Sequence, residues 1–453
     1  MNPALSAISA LSAIRNLRLR ATSLAAGLLV LGPALLLWQW PRPQAQGLER
    51  LLPQMALLQS LQAAPTRPVP QLWQQRLGLP LAQRLWRQQR RLWWQGWGRH
   101  GDGGAYLVVP LGRAELLPGV ERPANSLLLN DLLVVAADPL SLKALQDQLG
   151  NVQRPLQGLD RRCLGLLESQ QSVFWKPVGL GGLSGELAPL LFGYQEGCLA
   201  LELDGAQLQF SGEATASPDP VGGPIRSEVV VPSGALGTDL LLELQGPSLQ
   251  PLLQGYLSRQ LVRESLAASY GIGPAQLDLL RQLPFRLQLR SIAAGPFRAG
   301  LTLQVQPGRH RQALAALLNE LRPRLQQQGL EDAPPQWRAG ASSSGVLPEA
   351  TWRRDDGTLV GGWRWQLLSG QQPQLQLFLG PVPPRLSGPV APAASALQLR
   401  MRPADMLAAG LLPPSLPTVV QQASQLQLAS SAQKGPLSRL QGRLQLALRP
   451  PAR

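Results

Sequence analysis

The chemistry open to this chain is narrowed by how few reactive side chains it carries: two histidines, His100 and His310, and two cysteines, Cys163 and Cys198, in 453 residues. Neither histidine has an acid or a cysteine at ligand spacing, so both read as surface residues and no metal site is expected. The cysteines form no C-x-x-C motif. In an oxidising compartment they would pair and close a loop, a link of about 2–4 kcal/mol; otherwise they are two buried thiols. Residues 96–101, GWGRHG, match G-x-G-x-x-G, but a Trp/Arg segment precedes them where a strand is needed. A Gly-rich turn follows where a helix should start, so the dinucleotide context is missing. Residues 182–186, GLSGE, miss the G-x-S-x-G elbow by one position, and no histidine is placed to serve it. No Walker A loop and no H-E-x-x-H occurs, no carboxylate pair has a distinctive context, and the acids of residues 123–280 stand singly. The expectation is therefore no cofactor and no catalysis. Carboxylate catalysis needs no motif, which leaves a hydrolase without a recognisable signature as an alternative.

Before these residues stands a stretch of another kind. Residues 21–40, ATSLAAGLLVLGPALLLWQW, carry no charge, and Arg15, Arg18 and Arg20 precede them. A helix of this length spans about 30 Å, the hydrocarbon thickness of a bilayer. Basic residues on one flank and tryptophans on the other place the N-terminus in the cytoplasm and everything after Pro41 across the membrane. The expected span runs through Ala21, Leu28 and Leu35 to Trp38 and Trp40. A cleaved signal peptide is the rival reading, although its core would be shorter and would end at small residues. Both readings deliver the rest of the chain to the non-cytoplasmic side.

Composition supports buried cores: 44% of residues are hydrophobic, 15% are charged and the net charge is +15. Arginine supplies nearly all the cations, since Lys143, Lys176 and Lys434 are the only lysines. Their placement is uneven. Residues 67–122 hold nine arginines against Asp102, Glu115 and Glu121, and residues 281–324 hold eight against Glu320. Residues 123–280 between them carry sixteen acids and eight bases. Across a membrane, the partners that suit such basic surfaces are anionic lipid headgroups or an acidic protein, and nucleic acid is not expected.

The periodicity sorts the chain into elements. Residues 41–72 read as a Pro/Gln-rich tether with one amphipathic run, Leu51, Leu52, Met55, Leu58 and Leu61. Read as a helix from Leu81, the following segment puts leucines and Trp86, Trp93 and Trp97 on adjacent stripes. Arg84, Arg87, Arg90 and Arg91 then share the opposite side with Trp94. Such a helix either lies on a membrane or partner surface through these eight side chains, or packs its Leu/Trp face on a core. From Tyr106 onward alternating runs dominate: 106–110, 127–136, 198–210 with a turn at Asp204-Gly205, 229–231, 285–290, 299–305, a meander over 352–379, 397–401, 426–428 and 440–448. Helices are expected over 248–267 and 309–325, the second kinked by Pro323. Breaks in composition at 217–224, 332–345 and 380–392 suggest linkers. They divide the chain into an anchor (1–40), the tether (41–72), the Trp/Arg helix with a first α+β domain (73–235), a second α+β unit (236–335) and a C-terminal β-rich unit (336–453). An apolar strand, a proline and a helix start recur at 132–145, 240–253 and 396–410, which is either an internal repeat or common punctuation in a proline-rich chain.

The expected fold class is α+β, with antiparallel sheets carrying amphipathic helices behind one N-terminal transmembrane helix. The span, the strand-Pro-helix units, and the run PFRLQLRSIAAGPFRAGLTLQV followed by RHRQALAALLNELRPRL resemble a group of membrane-anchored cyanobacterial proteins known only as a domain of unknown function. That resemblance implies an architecture and a compartment, periplasm or thylakoid lumen, and no site. The leading functional expectation is a non-catalytic envelope or thylakoid protein that binds a protein partner or anionic lipid through a basic, Trp-bearing surface. A carrier or chaperone for an apolar ligand held between sheet and helices is the alternative.

Overall fold

A computed structural model describes residues 46–99, 104–111, 123–150, 155–184, 193–215, 231, 234–257, 259–333, 349–367, 372–384, 390, 397–412, 416, 418–432 and 437–446. The expected span 21–40 lies outside these residues, as do His100 and Val229 and Val230 of one expected strand. Among the described residues no helix is long and apolar enough to cross a membrane. Residues 47–151 and 156–453 cluster as one compact unit, which is α+β as expected.

Among the described residues, eighteen strands form one sheet in which every pairing is antiparallel. The strands of the first half are β1 (Met55–Gln62), β2 (Leu92–Gly98), β3 (Tyr106–Pro110), β4 (Ser126–Leu129), β5 (Leu132–Val135), β6 (Ser172–Trp175), β7 (Gly197–Asp204) and β8 (Gln207–Thr215). Those of the second are β9 (Leu240–Gly246), β10 (Phe285–Ser291), β11 (Ala299–Val305), β12 (Glu331–Ala333), β13 (Ala350–Arg353), β14 (Leu359–Gln366), β15 (Gln374–Leu379), β16 (Gln398–Met401), β17 (Ala423–Ala432) and β18 (Leu437–Leu446). Followed from neighbour to neighbour, the first half runs β4-β5-β3-β2-β1-β6-β7-β8. The second runs β12-β13-β14-β15-β11-β10-β9-β16-β17-β18. From β5 or β15 inward the two orders are the same, and the halves meet where β8 pairs β18 around Ser211 and Gln441. Antiparallel pairing of equivalent strands is what a local two-fold axis produces. The chain is therefore built as a duplicated unit.

The helices confirm the correspondence. Between β1 and β2 lie α1's successors in the chain, for α1 (Leu48–Leu51) precedes β1, and α2 (Gln71–Leu77) and α3 (Leu79–Gln88) follow it. Helices α4 (Pro139–Leu149) and α5 (Gly158–Ser169) join β5 to β6, and α6 (Pro177–Ser184) joins β6 to β7. In the second half α7 (Gln250–Tyr256), α8 (Gln260–Tyr270) and α9 (Pro274–Arg281) join β9 to β10, as α2 and α3 join β1 to β2. Helices α11 (Pro403–Ala408) and α12 (Thr418–Gln421) join β16 to β17, as α6 joins β6 to β7; α10 (Arg311–Gln327) leads from β11 towards β12. The strand-Pro-helix units expected from sequence all exist, as β5-α4, β9-α7 and β16-α11. They occupy non-equivalent places in the two halves, so the repeat is the half and not that motif. The units expected at 73–235, 236–335 and 336–453 share this one sheet, with β9 pairing both β10 and β16, and β8 pairing β18.

The sequence reading departs from the fold in four segments. Residues 48–62 are not a tether: Leu51, Leu52, Met55 and Leu58 are fully buried, and β1 lies between β2 and β6. The helix expected from Leu81 to Trp97 stops at Gln88, and Trp93, Trp94 and Trp97 belong to a strand. Glycines at 96 and 98 are each worth about 1 kcal/mol against a helix. In the strand Gly96 lets β1 approach, since a Cβ there would sit 2.9 Å from the sulfur of Met55. Trp93 and Trp94 then point to opposite faces. The helix expected over 248–267 is two helices, and α10 continues past Pro323 to Gln327.

One face of the sheet carries helices along both halves. In the first half α2 and α3 pack there through Trp73, Leu77, Ala82 and Trp86, against Trp93, Leu107, Val109, Leu133 and Val135. Trp73, Trp86 and Trp93 meet edge to face, with centroids 5.1–6.3 Å apart. In the second half Leu314, Leu317 and Leu318 of α10, with Leu249, Leu252 and Met406, cover Leu242, Leu244, Phe285, Val305, Trp363 and Leu375. A hydrogen bond on this side ties the halves together: the hydroxyls of Tyr194 and Ser430 are hydrogen-bonded in a buried contact of 2.5 Å. Replacing Tyr194 with Phe should lower stability by about 1–2 kcal/mol, because Ser430 is left buried without that partner. The Tyr194→Phe/Ser430→Ala pair should cost less than the sum of the single changes, measured by urea unfolding.

Candidate functional site

The opposite face differs between the halves. In the first it is apolar and closed: Leu58, Trp94, Tyr106, Val108, Val134, Phe174 and Cys198 pack under α1, α4 and α5 through Leu51, Leu145, Leu149, Cys163 and Leu167. Cys163 of α5 and Cys198 of β7 are joined, Sγ to Sγ at 2.06 Å. The Trp94 indole donates to the Leu167 carbonyl at 2.9 Å, and Arg162 pairs Glu213 of β8 at 2.6 Å. Pairing of these cysteines was one of two expected states, the other being two buried thiols; the fold joins them.

In the second half the strands alternate Leu with Gln or Arg, as in LLLELQG, FRLQLRS and QLQLFL. The leucines face the helices, so the Glu, Gln and Arg side chains of these three strands fall on the other side. Directly opposed residues share a face, and two rows of them can be followed across the strands. One runs Thr302, Gln288, Glu243, Arg400, Gln427, Arg443 and Gln209. The other runs Arg364, Gln376, Gln304, Arg286, Gln245 and Gln398. The second row continues through Ala429, Gln441, Ser211, Ala200, Ser172 and Ser60 to Trp94, which identifies it with the closed face of the first half. Where the first half inserts α4 and α5 between β5 and β6, the second has no described helix between β15 and β16.

These side chains hold one another. Glu243, with its side chain 7% exposed, lies at the centre. Gln288 donates to its Oε1 at 2.9 Å, Arg400 donates to Oε2 through Nε at 3.0 Å and through Nη2, and Arg286 Nε stands 3.7 Å from Oε1. Burial pushes the Glu243 carboxyl up, but the hydrogen bonds from Arg400 and Gln288 and the two guanidinium charges bring it below its ordinary value. Burial lowers the Arg286 guanidinium, with Glu243 opposing and Arg400 adding to the effect. Arg364 donates to Gln376 at 2.6 Å and to the Pro383 carbonyl at 2.8 Å. Gln245 donates to Gln398 at 2.6 Å. The two rows as traced hold four arginines, Arg286, Arg364, Arg400 and Arg443, and one carboxylate, Glu243.

At the β8–β18–β17 junction this face opens into a cavity of about 230 Å³ lined by Gln207, Gly234, Gln425, Gln427, Arg443 and Gln445. Arg443 donates from Nε to Gln427 Oε1 at 2.5 Å, and the Gln427 and Gln425 amides donate to the Gly234 carbonyl at 3.0 and 3.3 Å. The lining therefore presents carboxamides in fixed orientations and one guanidinium, groups suited to binding polar ligands and not to nucleophilic chemistry. Among the described residues no three His, Cys, Asp or Glu side chains converge on a metal position. His310 precedes α10 and accepts from Arg309 Nε at 3.2 Å.

The surface expected from sequence does not form as written. Arg84, Arg87, Arg90 and Arg91 are exposed around the end of α3. Trp86, Trp93 and Trp94 are 4–6% exposed and belong to cores, while Trp97 is half-buried. The tryptophans are thus withdrawn from the surface that the arginines occupy, because strand alternation replaces helical periodicity after Gln88. The site that sequence reasoning missed, around Glu243 and Arg443, was signalled only by the alternation that marks a wet face. No protein-family model, curated protein or solved structure matches the chain.

Proposed function

We propose that the chain is a non-catalytic binding protein that holds a polar ligand on the Gln/Arg face of its second half. The observation that carries this reading is the contrast between the halves: one face is closed by α4, α5 and a disulfide, and its equivalent is a hydrogen-bonded polar array with a cavity. The uncharged segment 21–40 serves as a membrane anchor in this reading, with the binding face in the periplasm or thylakoid lumen. The Cys163–Cys198 link supports an oxidising compartment. The four exposed arginines from Arg84 to Arg91 support a second contact, with anionic lipid or an acidic protein. The apolar-carrier alternative gains nothing from the cavities, since the second one is lined by Gly271, Glu320, Pro323, Arg324 and Gln327.

The test is extraction of the full chain from its native membrane in mild detergent, followed by washing, denaturation and mass spectrometry of what is released. A polar compound released by the natural chain and missing from a folded Arg443→Glu variant is the expected result. Equal release from both would remove the binding role of this face.

A further inference from the structure

From the basic surface at the end of α3 and the point where the chain enters the sheet, we infer that the first half docks on an anionic bilayer through Arg67, Arg84, Arg87, Arg90 and Arg91, with its α3 side towards the lipid. This fixes the partner of the second contact named above and the orientation of the sheet, and it rests on the reading of residues 21–40 as an anchor. Residues 51–99 hold seven arginines and no acid. Five of the arginines are exposed and gather around one helix. On α3, Ala82 and Trp86 are buried, while Gln83, Arg84, Arg87 and Gln88 are exposed. Arg90 folds back on the helix end, donating from Nη1 to the Arg87 carbonyl at 2.9 Å. The Arg67 carbonyl accepts from the Trp86 indole at 2.9 Å, which brings a fifth arginine beside the same helix. None of the ion pairs among the described residues involves any of the five.

Strand register puts this cluster at the end of the sheet where the chain arrives. Trp94 pairs Val108, and Val108 pairs Val134, so Leu92 stands in one row with Pro110 and Leu132. Gly47 lies against the same row: a Cβ there would sit 3.0 Å from the Asp131 carboxylate and 3.7 Å from Leu132. Arg91 precedes Leu92 and is therefore two strand spacings, about 10 Å, across the sheet from Gly47. Trp40 and Gly47 are seven positions apart, so the chain between them reaches about 25 Å at most. An anchor ending at Trp40 thus keeps this end of the sheet near the bilayer, and not the far end with Gly98, Tyr106 and Leu140. Acids mark the side that turns away: Glu49, Asp131 and Glu168 gather around α1 and α5, on the opposite face. Anionic headgroups attract the α3 side and repel that one. An acidic protein would also suit the arginines, but the short tether already delivers the lipid to them. Trp86, Trp93 and Trp94 are 4–6% exposed, so they do not insert, and the contact is with headgroups and sensitive to salt.

Both natural cysteines are in the disulfide, so an introduced cysteine is the only thiol. The full chain is reconstituted in nanodiscs with a bimane on Gln88→Cys, beside Arg87, or on Leu140→Cys, at a position 79% exposed at the far end. Quenching is read from phosphatidylcholine spin-labelled on its headgroup, in discs with and without phosphatidylglycerol. Stronger quenching at position 88 than at 140, dependent on phosphatidylglycerol and abolished by about 0.5 M salt, is expected. Arg84→Gln and Arg87→Gln, which keep helix propensity, should each lower the ratio of docked to free chain about fivefold. Should either variant misfold, the salt response of the natural arginines decides alone. Equal quenching at the two positions, or indifference to phosphatidylglycerol, overturns the inference in a chain that resists extraction by alkaline carbonate. Arginine-dependent binding of polyglutamate without quenching assigns the patch to an acidic protein and also overturns it. Release of the chain from native membranes by carbonate removes the anchor reading itself, and the docking with it.

Discussion

Replacing Glu243 with alanine should destabilise the fold by about 3–5 kcal/mol, more than removal of any other single charge on the sheet, because it leaves Arg286 and Arg400 facing each other in a half-buried site. The carboxylate is the only described acid on β9, β10 or β16 within 4 Å of either guanidinium. Glu243→Gln keeps the shape and the bond to Gln288 but not the charge, and should lie between the natural chain and Glu243→Ala. The pH dependence separates charge from packing. Since the folded carboxyl titrates below its ordinary value, its contribution is complete above the unfolded value of about 4.3 and is lost as pH falls through the lower folded value. The stability difference between the natural chain and Glu243→Gln, measured by urea unfolding, should therefore be constant from neutral pH down to mildly acidic conditions and shrink below them. A difference that stayed constant at low pH would show that packing, and not charge, is what the glutamate contributes.

Loss of the Cys163–Cys198 link is expected to cost about 3–4 kcal/mol, the chain-entropy value for a loop of this length. The residues joined are 35 apart, and the link holds α5 onto β7 at the point where the first half's face is closed. A Cys163→Ala/Cys198→Ala chain, or the natural chain in reductant, should show an earlier urea midpoint. It should also bind 8-anilinonaphthalene sulfonate before global unfolding, as α5 lifts from Phe174 and Leu58. Reductant without effect on either signal would mean that α5 is held by packing alone.

The hairpins were legible because their determinants are local. Asp204-Gly205 supplies the left-handed residue, with Gly205 at φ 58°, between two alternating runs, and 285–305 has the same form. The α+β class followed from such segments. The Trp/Arg segment misled because Leu85, Trp86, Trp93 and Trp97 satisfy a helical stripe and Trp93 and Trp97 satisfy a strand equally well. Only pairing with β1 and β3 decides between them. Residues 48–62 misled for the opposite reason: proline and glutamine dominate the surroundings of a strand whose burial comes from β2 and β6, both distant in the chain. The polar array was invisible for the same cause. In the sequence Glu243, Arg286 and Arg400 read as ordinary members of wet faces on three separate strands, and their burial together is a property of strand order, which sequence spacing does not encode.

The joining of the halves through β8 and β18 bears on solubility. An open sheet exposes unpaired backbone groups at its edges, and long edges invite pairing with other chains. Two independent halves would present four edges, two of them the nine- and ten-residue strands β8 and β18. Paired with each other, these long strands are removed from solution. The edges that remain among the described strands are β4, four residues long, and β12, three residues that include Glu331 and Asp332. Among the described residues, the sheet thus offers neighbouring molecules two short templates, one of them negatively charged.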